Sequence, residues 1–431
     1  MDTNDFLGSF AQENVLFSTQ VVRTAAVGDN FYKAMIFVEN SRFVDTSQST
    51  WALVPGSTTI KALAVSVADY AEHTSGLLQS WLYDLFCSGF TGDCILVACG
   101  DVSTTDTYTP VTPEGSENPH ALGWYVSDGG TGYVLTDDET VQAGTTYYTK
   151  STTTDPASFI EGMDTAYELM KAYAYHKTVC AGSDTAVDPT IAVELASLCA
   201  PDKSLLSSVP LLPFTTTTPE TPETDPLYNA LKLSGRDAFM SANQDSTRNA
   251  SLLSLGIALA TVNGSGTCVG NGMEMTATGM ITSSGPDGTQ LAKSTRDALA
   301  SINIQTWKPV GDNTGNVAAF GALTLNGDTY SANWILAYIA YMVKVRVAQM
   351  LTEGNFLKNA ANYSRIIGVM NGICAKFVDS GRLENYVCNA PAYDALPEAS
   401  GDEIVVPNAW EATYVSNVRK VTITGTLYIG A

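Results

Sequence analysis

The sequence predicts an α/β fold: an α/β domain of parallel-type βαβ units carrying a β-hairpin insert, then an α+β C-terminal domain, with strand arms at both ends. Three observations lead there. Short apolar runs alternate with helical stretches along the first half, a Thr-, Gly- and Tyr-rich stretch interrupts that alternation, and two long apolar helical patterns precede a period-two terminal run.

The first alternation lies in residues 31 to 100. Ala34-Met35-Ile36-Phe37-Val38 reads as a buried strand, a helical stretch runs through Leu77, Trp81, Leu82 and Leu85, and Ile95-Leu96-Val97-Ala98 reads as a second strand. After residue 150 the rhythm resumes. Phe159 to Leu169 is helical, Tyr173 to Val179 a strand, Ile191 to Leu198 helical, and Val209-Pro210-Leu211-Leu212 apolar again. Parallel strands need crossover connections of a dozen or more residues, usually helical, and this spacing supplies them.

Residues 101 to 150 break the rhythm. Tyr108, Trp124-Tyr125, Tyr133 and Tyr147-Tyr148 are spaced by turn signals such as Asp128-Gly129-Gly130, the pattern of short antiparallel hairpins. Thr215 to Thr224, with Pro219, Pro222 and acidic residues, reads as an exposed extended loop.

From Ser331 to Leu351 almost every position is apolar, so this helix should be buried on most sides. Its longest uninterrupted run, Trp334 to Val343, closes at Lys344 and Arg346, well short of the roughly 20 residues that span a bilayer. Next, Tyr363, Ile366, Ile367, Met370, Ile373, Cys374, Phe377 and Val378 form one apolar helical stripe, with Gly381 placed as its C-cap. The chain ends in a run whose Val421, Ile423, Leu427 and Ile429 share one face and whose Thr422, Thr424 and Thr426 share the other. Expected boundaries are an extended arm at 1–30, the α/β domain at 31–285 with its insert at 101–150, the α+β domain at 286–417 and a strand arm at 418–431.

Composition narrows the function. The 431 residues are 45% hydrophobic, ample for a large core, and the net charge of −22 repels nucleic acid and anionic headgroups. Charged residues make up only 15%, below the roughly 25% usual in globular domains, a surface suited to close subunit packing. Met1-Asp2-Thr3-Asn4-Asp5 carries no cationic n-region, so synthesis in a cytosol is expected.

Chemical motifs are missing. The eight cysteines at 87, 94, 99, 180, 199, 268, 374 and 388 include no pair with zinc-type spacing. They read as small buried hydrophobes, with disulfides formed after release into an oxidising medium as the alternative. The glycines from Asn263 to Asn271 lack dinucleotide spacing, and no Ser occupies a nucleophile elbow. His73, His120 and His176 form no triad-type or metal-type arrangement and read as surface or satisfied core residues. Carboxylates are plentiful, yet nothing selects an acid/base pair. No enzyme activity, cofactor or metal is therefore expected.

Several features resemble the tail sheath proteins of contractile-tailed bacteriophages. Trp334 opens an apolar helix, a second runs from Tyr363 to Leu383 and ends in Asp379-Ser380-Gly381-Arg382-Leu383, and a β segment closes the chain. Arg248-Asn249-Ala250-Ser251-Leu252-Leu253, the Asn263 to Asn271 run and Met273-Glu274-Met275 match more loosely. The piece from Tyr108 to Tyr148, with Glu117-Asn118-Pro119 and Gly123-Trp124-Tyr125, looks like a small β insert of phage virion proteins.

The resemblance implies a structural virion protein made in the host cytoplasm: a sheath subunit forming a helical homo-polymer around a tail tube and contracting to drive that tube into the host envelope. Implied partners are the tube protein and the baseplate and neck proteins, without nucleic acid or membrane insertion. Intersubunit strands are expected at Val15, Leu16, Phe17, Val21 and Val22 of the N-terminal arm and at Val421, Ile423, Leu427 and Ile429 of the C-terminal one. The alternatives are a tail-tube or other virion shell subunit, or a glycan-binding or glycan-cleaving surface protein.

Overall fold

A computed structural model describes residues 33–113, 117–130, 132–171, 173–184, 186–200, 211–215, 224–243, 248–260, 274–276, 293–309, 316–320, 323–352, 356–397, 404–406 and 409–415. The fold is α/β. Its first half begins with β1 (Ala34–Glu39), the short β2 (Ala52–Leu53), β3 (Lys61–Val65), helix α1 (Gly76–Cys87) and β4 (Cys94–Gly100). The insert follows as β5 (Ser103–Val111), β6 (Tyr125–Ser127), β7 (Tyr133–Leu135) and β8 (Tyr147–Asp155). Then come α2 (Ala157–Met170), β9 (His176–Cys180) and α3 (Pro189–Leu198).

The main sheet has the order β2-β3-β4-β1-β9. β1 pairs in parallel with both β4 and β9, as the βαβ rhythm requires, while β3 is antiparallel to β4. All six residues of β1 and all five of β9 are buried, which is why these strands read as continuous runs rather than alternating ones. α1 buries Leu77, Leu78, Trp81, Leu82, Leu85 and Phe86. On α2, Gly162 lies so close to the Cys99 carbonyl that a Cβ there would stand 1.8 Å from the oxygen, so only glycine lets this helix settle on β4.

The chain continues through β10 (Leu211–Thr215), α4 (Pro226–Ser234), β11 (Phe239–Asn243), α5 (Ala250–Ala260), β12 (Glu274–Thr276), α6 (Lys293–Ser301), β13 (Thr306–Pro309) and β14 (Asn316–Phe320). β10 and β11 are parallel, and β12-β14-β13 form a small antiparallel sheet. Helix starts follow local chemistry. Asp188 and Asp225 cap α3 and α4, each followed by proline at the first helical position, and each accepts a hydrogen bond from a first-turn amide.

Last come α7 (Tyr330–Thr352), α8 (Ala360–Asp379), β15 (Leu383–Cys388) and β16 (Trp410–Tyr414), the two strands antiparallel. α7 joins two buried clusters. Tyr330, Trp334, Ala337 and Tyr341 belong to the large core that begins at β1, while Ile335, Ile339, Val343 and Val347 face the second cluster with α8, β15 and β16. The large core thus continues past residue 285, where a domain boundary was expected, through Leu299, Ile304 and Leu325. Ala332–Thr352 has the length and composition of a membrane span, but 59% of its most apolar window is buried within the chain, as in the core helix expected from the sequence. On α8 the predicted stripe is seated: Tyr363, Met370, Ile373, Cys374 and Phe377 are buried. Gly381, at φ +70°, closes the helix, its N–H donating to Val378 and the Arg382 N–H to Phe377.

Candidate functional site

Every residue expected at a subunit interface, from Val15 to Val22 and from Val421 to Ile429, lies outside the described residues, as do the glycines from Asn263 to Asn271 and residues 216–223 of the expected loop. The places where chemistry concentrates in the described structure are buried charges and the insert.

Open α/β sheets hold ligands beyond the carboxyl ends of strands whose connections diverge. Here β4 and β9 flank β1, so that point lies beside Glu39 and Gly182. The chain fills the position itself. Glu39 is 1% exposed, its Oε1 accepting from the Val102 N–H and its Oε2 from the Gly182 N–H, both at 3.3 Å. Arg42 Nε stands 3.5 Å from the same carboxylate, and Arg42 Nη1 donates to Asp184 at 2.9 Å.

A second buried carboxylate, Asp84 on α1, holds the start of α5. Arg248 Nε donates to Asp84 Oδ1 and the Asn249 N–H to Asp84 Oδ2, each at 2.7 Å. Asn249 then caps α5 by accepting from the Leu252 N–H at 3.0 Å. The Arg248-Asn249 motif singled out in the sequence thus has a physical role in helix docking.

Three further titratable groups sit in the core. His176, on β9, shares a 2.9 Å hydrogen bond between Nδ1 and the Tyr330 hydroxyl, while its Nε2 has no partner among the described residues, so it is a core histidine satisfied there on one side only. Burial, with neighbouring Lys177, pushes its pKa down to about 3. Lys177 Nζ donates to the carbonyls of Ala174 and Tyr175, and burial pushes its pKa down to about 8. Lys344, 3% exposed on α7, has no hydrogen-bond partner for Nζ among the described residues and is pushed by burial down to about 8 as well. Lys344 interrupts the apolar run within the helix expected over 331–351, and α7 runs through it to Thr352. In hindsight the signal for these residues was a lone charge inside an apolar pattern, as in Leu82-Tyr83-Asp84-Leu85 and Val343-Lys344-Val345.

Of the seven described cysteines none is in a disulfide. Cys94, Cys99, Cys180, Cys199 and Cys374 are buried, whereas Cys388 is exposed on β15 and departs from the expected pattern. Burial pushes the Cys87 and Cys374 thiols up to about 11, so they stay protonated and unreactive. Among the described residues no group of three or more His, Cys, Asp and Glu is arranged to hold a metal ion.

The insert is an antiparallel sheet of order β5-β8-β6-β7. It reaches Asp155, past the expected end at residue 150, because β5 and β8 pair in register from Ser103↔Asp155 to Val111↔Tyr147. One side carries half-buried tyrosines: Tyr108 stacks on Tyr133 at 4.0 Å, and Tyr125 and Tyr148 meet them edge-on at 5.4 and 4.7 Å. Lys150 bridges to Asp106 at 2.8 Å. Trp124 and Tyr147 form a small buried core, where the Tyr147 hydroxyl donates to Asp138. The unit carries its own core, and its described side chains offer mainly aromatic and hydroxyl groups.

No protein-family model matches the chain, and no curated protein does. Solved structures are similar in fold. A chain of the anti-feeding prophage (AFP) baseplate, determined by cryo-EM with 6-fold symmetrisation, is 10% identical with a TM-score of 0.53, over 96% of this chain and 97% of that one. The sheath tail protein Lin1278 from Listeria innocua is 7% identical with a TM-score of 0.44, over 90% and 92%. With the prophage baseplate chain this chain shares its α/β fold over 96% of its length.

Proposed function

We propose that this chain is a structural virion protein, the tail sheath subunit, which polymerises around a tail tube and contracts to drive the tube into the host envelope. The observation that carries this reading is the fold shared with a prophage baseplate chain over 96% of its length. The low charged fraction, the apolar arms and the sheath-like C-terminal third support it. Its partners are further copies of itself, the tube protein, and baseplate and neck proteins, with no cofactor; its place is the virion tail. Val15, Leu16, Phe17, Val21 and Val22, with Val421, Ile423, Leu427 and Ile429, supply the strands that link neighbours. Each main-chain hydrogen bond so formed contributes about 0.5–1.5 kcal/mol net, enough in a short ladder to keep subunits joined while their bodies move.

Negative-stain microscopy of the purified protein tests this. A sheath subunit forms wide tubes or rings; narrow tubes identify a tail-tube subunit, and discrete particles that never polymerise overturn the assignment. A baseplate or other shell subunit is the second reading, favoured by the source of the similar prophage chain, and it would give closed rings that do not stack.

A further inference from the structure

We propose that Glu39 is the clamp that sets the direction in which the insert, residues 103–155, leaves the body. The insert hangs on a two-stranded ribbon whose residues Ser103 to Thr107 and Thr149 to Asp155 are exposed on both faces. Among the described residues no strand of the insert packs extensively on a strand or helix of the body. Its orientation therefore depends on the root, where the chain passes from β4 into β5 and from β8 into α2.

That root is held by three consecutive residues at the end of β1. Asn40 Oδ1 accepts from the Gly100 N–H at 3.3 Å, the Ser41 N–H donates to Asp101 Oδ1 at 2.6 Å, and Glu39 Oε1 accepts from the Val102 N–H. Only Glu39 is buried, and only Glu39 reaches a third strand end, through Gly182 beyond β9. Asp101 is a carboxylate as well, but it stands in water; Glu39 is shielded from solvent and holds two N–H groups at once, so its loss frees two strand ends where the loss of Asp101 frees one. The other strand is tied as well: Asp155 accepts from the Ala157 N–H at the start of α2, and the Thr154 hydroxyl reaches Asp188 at 3.4 Å. With both strands anchored, the ribbon leaves the body at one angle.

Electron–electron distance measurement tests the clamp in the full-length protein. Nitroxides carried on p-acetylphenylalanine, which avoids the native cysteines, are placed at exposed Glu72 on the body and exposed Thr140 on the insert, with labelled protein diluted among unlabelled copies. The parent should give one narrow distance distribution. Glu39→Ala should broaden it at least twofold with the far-UV circular dichroism unchanged, Asp101→Ala should broaden it less, and Asp106→Ala, in the ribbon rather than its root, should leave it narrow. Equal widths in the parent and Glu39→Ala, or a parent already as broad as the variant, overturn the proposal. If Glu39→Ala fails to fold, Glu39→Gln decides, because it sets an amide NH2 against one of the two N–H donors: a width equal to the parent's overturns the proposal.

Discussion

Arg248 Nε lies 2.7 Å from a carboxylate oxygen of Asp84, which is fully buried 164 residues earlier in the chain. The Arg248 guanidinium also stacks over the neighbouring Tyr83 ring at 5.5 Å. Through this pair and the adjacent Asn249 amide, α1 is tied to the first turn of α5.

Breaking that pair from either side leaves a charge without its counterpart in a buried place. Asp84→Ala and Arg248→Ala should each cost about 3–5 kcal/mol, and the double variant should cost well under their sum. Urea unfolding, with midpoints compared at equal slope, measures all three.

Lys344 makes stability depend on pH in a defined direction. Its folded pKa of about 8 lies below the unfolded 10.5, so between those values the unfolded chain binds more protons and stability rises with pH; below about pH 8 the full penalty is present. Buried thiols such as Cys94 and Cys99, raised by burial, work the other way above about pH 9, because the unfolded chain loses those protons first. Lys344→Met should therefore stabilise the protein at pH 7 by on the order of 3 kcal/mol and flatten the rise between pH 8 and 9. Thermal melts of both proteins across that window read the difference.

The stripe of α8 is core. Met370→Ala should cost about 2–5 kcal/mol by opening a cavity among α7 and α8 side chains. Gly381→Ala should cost about 1 kcal/mol, because φ there is left-handed. An unchanged melt for Met370→Ala would show an exposed face.

The insert is separable. Ser103 and Asp155 are paired across the ribbon, so Val102 and Pro156 can be joined by a short Gly-Ser link with little strain. Protein lacking 103–155 should fold, keep the helical signal of the body and assemble as the parent does. Failure to form tubes from a folded subunit would put the insert at a subunit interface.

If the terminal arms link neighbouring subunits as proposed, they serve assembly rather than folding. Removing residues 1–24, or replacing Ile423 by Pro, which deletes one main-chain donor, should leave a monomer with unchanged circular dichroism and melting that no longer polymerises. Normal tubes from Ile423→Pro, or loss of the monomer fold, would count against the C-terminal strand as an intersubunit link.

Much of this was legible from local patterns. The Ile95–Ala98 run became β4, the Leu77–Leu85 periodicity became α1, and the tyrosine-rich interruption became an antiparallel unit. Gly381 could be placed as a C-cap because helix termination is written within a few residues. Asp84, Glu39 and Lys177 escaped notice, since nothing near them in sequence names the group that each one meets.

By itself the sequence determined β1, β4, β9, the helices α1, α2, α3, α7 and α8 and the stop of α8 at Gly381, because apolar periodicity and capping act over a few residues. Only the tertiary structure decided that β1 lies between β4 and β9, that Glu39 joins the chain beyond β4 to the chain beyond β9, and that Asp84 meets Arg248. Those outcomes depend on pairing across tens to hundreds of residues and on how a buried charge finds a partner. Both are set by contacts between surfaces distant in sequence, which leave no period in the chain to read.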